Sequence, residues 1–307
     1  MPHTLLTSTR VVMDGLGENT WTLYEVKDTA VDCHTEFQRA AIHTHSRYGK
    51  MLFLDGELQS ASGDEFIYHE TIVHPAMLSH PNPRTVAILG GGDGGTVREV
   101  MRYPGVERAV MIDIDPKVVE LSRRYLPELS CGSFSDSRLE LVIGDAREWM
   151  EKTRETFDVI ISDLTQPLTS SLSEGLFSAE FFALLSRRLR DPGILSIQAS
   201  HGNLGMLDHH CAIRRNLDSV FGICRTMLCH IPSFGCHWAF ATASHTLDPL
   251  AHDTAAIDQR LRQLGLQGLR YYDGTTHSRL LALPRYVRQA LREQLGQEGR
   301  PRSASPA

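Results

Sequence analysis

The stretch Thr85-Val86-Ala87-Ile88-Leu89-Gly90-Gly91-Gly92-Asp93-Gly94-Gly95 decides how this chain is read, because an apolar run passes directly into a glycine loop. A short apolar run bounded by turn residues predicts a buried strand. The segment after it, Gly95-Thr96-Val97-Arg98-Glu99-Val100-Met101-Arg102-Tyr103, predicts a helix. Between them Gly90, Gly92 and Gly95 satisfy G-x-G-x-x-G in the strand–loop–helix context that gives the pattern meaning. Glycine there lets backbone approach a nucleotide closely, so Gly90 and Gly92 are assigned to nucleotide binding.

Working outward, the same alternation repeats. AVMIDID, LELVIGD, DVIISDL and GILSIQAS read as strands, and PKVVELSRRYL, Ala146–Lys152 and Glu180–Leu189 as helices. Such alternation predicts an α/β fold with a doubly wound, mostly parallel, Rossmann-like sheet. Upstream the pattern differs: TWTLYEV, EFQRAAIHTH and GKMLFLDGELQSAS read as strands with turns at Tyr48-Gly49-Lys50 and Asp55-Gly56. These predict a small antiparallel β domain over residues 1–65. A helix over 64–80 follows and stops at Pro81-Asn82-Pro83. The Rossmann-like domain is expected over 66–294, with a disordered tail over 295–307.

The bulk numbers bound the function. With 307 residues, 41% apolar and 22% charged, the chain has the mix of a soluble globular protein. No apolar run approaches the roughly 18 residues of a membrane span. The start MPHTLLTSTR lacks a basic segment followed by an apolar stretch, so no signal peptide is expected and the cytoplasm is the expected location. The net charge of −6 argues against a nucleic-acid partner and suits a cationic small molecule. Six cysteines are scattered without a CxxC pair. Cys224, Cys229 and Cys236 lie near His230 and His237, but the spacings fit no zinc pattern and no metal is expected. His209-His210 and His201 read as surface or loop residues, and Trp21, Trp149 and Trp238 as packing residues.

Acidic residues at the strand ends carry the chemistry. Asp113 closes the second strand, where an acid can bond a ribose diol. Asp145 closes the third, where it can accept from an adenine amino group, and Asp163 closes the fourth. A nicotinamide-dependent oxidoreductase is the competing reading of a glycine loop. It needs room for an anionic pyrophosphate, and Asp93 inside the loop opposes one. A cationic sulfonium carrying a free propylamine suits four carboxylates far better.

Tyr48-Gly49-Lys50, Leu54-Asp55-Gly56, Gln59, Asp64-Glu65-Phe66, Tyr68-His69-Glu70, His80-Pro81-Asn82-Pro83 and the GGGDGG loop together resemble the polyamine aminopropyltransferases, the spermidine synthase family. The resemblance continues through Asp163, Glu174-Gly175-Leu176-Phe177, Tyr271-Tyr272 and His277, covering about residues 20 to 290. It implies a methyltransferase-type catalytic domain and a β domain that mediates assembly into a homodimer or homotetramer. It also implies aminopropyl transfer from decarboxylated S-adenosylmethionine, a co-substrate rather than a prosthetic group, to an amine acceptor, with release of methylthioadenosine. By the same match Gln38, Gln59, Asp93, Asp113, Asp145 with Ala146, and His69 contact the nucleotide or amine substrates. Tyr68 and Asp163 hold the attacking amine and are the catalytic pair.

Two positions depart from the family pattern. Gln166 stands three residues after Asp163 where a second aspartate is usual, and Phe234 stands where a tyrosine is usual; both are assigned to the acceptor. Asp113-Ile114-Asp115, Asp163-Leu164-Thr165, Gln198-Ala199 and Ile231-Pro232-Ser233-Phe234 resemble the thermospermine and spermine synthase branch. Putrescine, agmatine and spermidine therefore all stand as acceptors. A non-catalytic polyamine-binding relative is the third reading.

Overall fold

The structure, a computed structural model, describes residues 10–17, 20–165 and 175–295. Gln166 and Glu174 lie outside the described residues, as does the expected tail from 296 onward.

Five antiparallel strands come first, each paired with the next: β1 (Arg10–Gly17), β2 (Thr20–His34), β3 (Arg39–His45), β4 (Gly49–Leu54) and β5 (Glu57–Ala61). β1 was not anticipated, and β2 runs eight residues past the strand read from Thr20–Val26. The Asp55-Gly56 turn is as expected, with both residues at positive φ (50° and 88°), the conformation that suits a two-residue hairpin. Asp14 on β1 accepts from the Leu58 amide on β5 at 3.3 Å, joining the first and last strands.

The second sheet has seven strands in the order β11-β12-β10-β9-β6-β7-β8. Here β6 is Thr85–Gly90, β7 Arg108–Asp113, β8 Leu139–Ile143, β9 Phe157–Asp163 and β10 Leu189–His201. These five are parallel, while β12 (Cys236–Ser244) is antiparallel both to β10 and to β11 (Ile223–Ile231). The apolar run of β6 is sealed on both sides, with Val86, Ala87, Ile88 and Leu89 all 0% exposed. Burying each larger side chain contributes roughly 1.5–3 kcal/mol, which holds the strand central. Order reverses between β6 and β9, which pair with Gly90 opposite Asp163. A crevice opens at such a switch point, beyond the carboxyl ends of the strands.

Helices α1 (Glu65–Ser79), α2 (Gly95–Met101) and α3 (Pro116–Tyr125) frame that crevice. Residues 95–103 contain the predicted second helix, which ends at Met101. α3 starts on Pro116, with the Asp115 carboxylate accepting from the amides of Lys117 and Val118. α1 is buried almost all round, so its polar residues need internal partners. Glu70 accepts from the amides of Arg270, Tyr271 and Tyr272, and the Ile72 carbonyl accepts from Ser196. The Tyr271-Tyr272 motif thus anchors the carboxyl-terminal segment to α1. The two sheets are tied together by Thr35 donating to Asp115 at 2.6 Å and Tyr24 donating to the Ser233 carbonyl at 2.6 Å.

Three surface and packing expectations are corrected. His210 is wholly buried on a helix, bonded to the Ala199 carbonyl and Thr226, and His201 is buried against Trp238. Trp21 is 55% exposed rather than packed. The cysteine segment is the β11–β12 ribbon; Cys224, Cys229 and Cys236 are buried free thiols, two of them inside the large apolar core. Among the described residues no three His, Cys, Asp or Glu side chains gather as metal ligands, and no helix is long and apolar enough to cross a membrane.

Candidate active site

One cavity lies at the switch point, walled by the glycine loop, the ends of β7 and β9, α1, and residues from β4 and β5. Gly90 at its base has φ +78°, and a Cβ there would collide with the Asp163 carbonyl. Only glycine therefore lets β6 turn away while β9 stays paired beside it.

Asp163 ends β9 with both carboxylate oxygens engaged. Tyr68 on α1 donates to Oδ1 at 2.6 Å, and Thr96 in the first turn of α2 donates to Oδ2 at 2.6 Å. Burial pushes the Asp163 carboxyl above its ordinary value, and neighbouring Asp93 adds to this. His69 and the two hydroxyls pull the other way without cancelling it. Burial and the Asp163 charge hold the Tyr68 phenol well above its ordinary range, so it stays protonated and donates.

Asp93 is held differently. Oδ1 accepts from the Gly95 amide at 3.0 Å, and Oδ2 forms an ion pair with His69 Nε2 at 3.3 Å. Burial alone would raise this carboxyl, but the adjoining His69 together with the Gly95 amide and Ser60 outweighs burial and brings it below the ordinary value. His69 meets Glu65 at 2.6 Å through its other nitrogen. Burial opposes its charge, yet Asp93 and Glu65 prevail and hold it well above the usual histidine range.

The nucleotide-side residues follow the strand ends. Asp113 lies in the cavity wall, accepting from the Asp115 amide at 2.9 Å; burial pushes its carboxyl up to about 6. Asp145 lines the cavity and accepts from the Arg147 and Glu148 amides through Oδ1, with Ala146 beside it. Gln38 and Gln59 also line the cavity, although the Gln38 amide already donates to Asp115 at 3.2 Å.

The structure thus brings Gln38, Gln59, Tyr68, His69, Gly90, Gly92, Asp93, Asp113, Asp145, Ala146 and Asp163 to one cavity. Phe234 is 5% exposed and packs against Tyr68 with ring centroids 6.2 Å apart, and it is not among the residues lining this cavity. Sequence reasoning missed Thr96 and Glu65 as site residues. Thr96 follows the glycine loop by one residue, where a first-turn hydroxyl can reach the neighbouring strand end. Glu65 stands four before His69, the spacing that puts two side chains on one helix face.

Comparison with known proteins places these features in a lineage. Residues 65–251 match the spermine/spermidine synthase domain. The polyamine aminopropyltransferase of Sulfolobus acidocaldarius is 37% identical over 87% of this chain and 88% of its own length. Polyamine aminopropyltransferase 2 of Hyperthermus butylicus is 38% identical over 92% of this chain and 93% of its own. A crystal structure of spermidine synthase in complex with the transition-state analogue AdoDATO superposes with a TM-score of 0.85 at 31% identity, covering 96% of this chain and 97% of that one. Spermidine synthase from Thermotoga maritima gives 0.84 at 31% identity, covering 94% and 95%.

Proposed function

This chain belongs to the spermine/spermidine synthase family and is a polyamine aminopropyltransferase using decarboxylated S-adenosylmethionine; within it we propose that Asp163 accepts the proton of the attacking amine while Asp93 anchors the cationic end of the co-substrate. One observation carries the assignment. Two carboxylates facing one cavity are pushed in opposite directions, Asp163 up and Asp93 down. A raised carboxyl suits proton transfer, and a depressed one suits a permanent anion.

The chemistry follows from the charges. The amine acceptor has a pKa near that of lysine, about 10.4, so near neutral pH it is mostly protonated and carries no free lone pair. Its lone pair, once free, attacks the aminopropyl carbon beside the sulfonium. The carbon–sulfur bond breaks, its electrons pass to sulfur, and neutral methylthioadenosine leaves. Asp163 takes the proton that frees this lone pair, and the new secondary amine leaves as its ammonium. A carboxylate with an ordinary pKa near 4 is a weak acceptor for such a proton, and burial narrows the gap by raising the acid and lowering the ammonium. Tyr68 and Thr96 lock the carboxylate's orientation, keeping the lone pair and carbon aligned.

Asp93 also chooses the nucleotide. Its anion attracts the aminopropyl ammonium and repels the additional carboxylate of intact S-adenosylmethionine. It would repel a dinucleotide pyrophosphate equally, which opposes the oxidoreductase reading. Asp113 takes the ribose diol, Asp145 with Ala146 the adenine, and Gln38 and Gln59 the nucleotide from the β-domain side. His69 acts through Asp93.

The acceptor is a diamine or triamine of the putrescine–spermidine class. Assembly into a homodimer or homotetramer is supported by Met13, Trp21 and Leu23, each more than half exposed. Met13 pairs with Leu23 and Gly15 with Trp21, so all three side chains share one hairpin face. Free cysteines support residence in the reducing cytoplasm.

Incubation with decarboxylated S-adenosylmethionine and putrescine, agmatine, cadaverine or spermidine, read by mass spectrometry, tests this reading. Methylthioadenosine with one elongated amine is the expected outcome. Nucleotide and amine binding without methylthioadenosine would instead make the chain a non-catalytic polyamine binder.

A further inference from the structure

The His69 imidazole sits between two carboxylates, and a neutral ring cannot satisfy both. Nδ1 lies 2.6 Å from Glu65 Oε2 and Nε2 lies 3.3 Å from Asp93 Oδ2. Neutral imidazole has one N–H and one bare nitrogen, whereas ionised carboxylates only accept. With the ring 2% exposed, solvent cannot mediate either contact.

Glu65 is fixed in turn. Arg98 on α2 grips it with a two-pronged guanidinium, Nη1 to Oε1 at 3.0 Å and Nη2 to Oε2 at 2.8 Å. Arg98 also donates from Nη1 to the Leu129 carbonyl at 2.6 Å and from Nε to Glu99 at 2.7 Å. Glu99 lies 3.2 Å from His74, whose other nitrogen meets Tyr103 at 2.9 Å. Charges of opposite sign therefore alternate from Glu99 through Arg98, Glu65 and His69 to Asp93. The ring also has a fitted seat, since a Cβ on Gly95 would overlap it.

We infer that Glu65 is a positioning residue: clamped by Arg98, it keeps His69 a two-ended donor, and His69 thereby keeps Asp93 ionised and aimed at the co-substrate. The inference rests on the assignment of Asp93 above. The titratable groups facing the ring are Glu65 and Tyr68 on α1, Asp93 on the loop and Asp163 at the end of β9. All but Tyr68 are acids that favour the imidazolium when ionised. Removing the Glu65 charge weakens that preference. A ring that then turns neutral has one hydrogen for two partners, and Asp93 loses the positive charge that holds it ionised, which loosens the anchor.

The test uses the full chain with histidine labelled at Cε1, the His69 resonance being assigned by its loss in His69→Asn. In the wild type this resonance is expected to stay at the imidazolium position through roughly pH 5 to 8, the range where ordinary histidines lose their proton. In Glu65→Gln, which preserves shape and an acceptor oxygen, it is expected to titrate inside that range. The same variant is expected to raise KM for decarboxylated S-adenosylmethionine by about tenfold, the lower end for losing a charged hydrogen bond. Its kcat should change far less, and the KM defect should grow with pH as His69 loses its proton. Glu65→Asp should recover part of the loss. A wild-type His69 that titrates inside that range overturns the inference, as does a Glu65→Gln pH profile parallel to the wild type. The wild-type titration decides the matter even if Glu65→Gln fails to fold, and it is independent of whether any methylthioadenosine forms.

Discussion

Two carboxylates that line one cavity, Asp163 and Asp93, are held by opposite means. Asp163 is bound by neutral hydroxyls from Tyr68 and Thr96, whereas Asp93 is bound by a backbone amide and a histidine wired to Glu65 and Arg98. The His69 charge and the two hydroxyl bonds only partly offset burial and the Asp93 charge, leaving Asp163 raised; His69 paired directly to Asp93, with the Gly95 amide and Ser60, reverses burial there and leaves Asp93 lowered. The proposed division into proton acceptor and fixed anion rests on this difference in partners.

Breaking the Asp163 half of the pair should have the largest effect. Asp163→Asn keeps the shape and removes the proton acceptor, so kcat should fall by roughly 10²- to 10⁴-fold, measured as methylthioadenosine release. Breaking the Asp93 half should appear in binding: Asp93→Asn is expected to raise KM for the co-substrate by roughly tenfold to a hundredfold. It should also narrow the preference for decarboxylated over intact S-adenosylmethionine in competitive binding, and an unchanged preference would refute the selective role of Asp93.

Tyr68→Phe sharpens the contrast rather than abolishing it. It removes one donor to the ionised form of Asp163, so that carboxyl should protonate at still higher pH. The acid limb of the rate profile should move up, with kcat reduced about tenfold at neutral pH. A limb that stays in place would show that the phenol does not bear on Asp163.

The smallest effect separates stability from binding. Asp113 titrates at about 6 when folded, above the roughly 3.9 of a free aspartate. The folded state therefore binds this proton more tightly than the unfolded chain. Its stabilising contribution is full below the free value and is lost as pH rises through about 6. Asp113→Asn should accordingly raise the Tm of the ligand-free protein near pH of about 8 by a few degrees while weakening co-substrate binding. A lower Tm would contradict the sign.

Much of this contrast was legible in sequence, but only its acidic half. Strand-end aspartates and the glycine loop announce themselves because strand, turn and helix signals are local. The β11–β12 ribbon did not, since its apolar residues face both the large core and a second core cluster, and the alternation in β11 shifts phase between Thr226 and Met227. The partners that set the two pKa directions are also non-local: Arg98 reaches Glu65 across 33 residues and Thr96 reaches Asp163 across 67.

The division between acceptor and anchor is tested most directly by titrating decarboxylated S-adenosylmethionine into Asp163→Asn and Asp93→Asn by calorimetry, without an amine acceptor. Asp163→Asn is expected to bind within about threefold of the wild type and Asp93→Asn at least about tenfold more weakly, as expected for an anchor that makes a charged hydrogen bond. The reverse order, with Asp163→Asn losing the co-substrate and Asp93→Asn keeping it, would contradict the account.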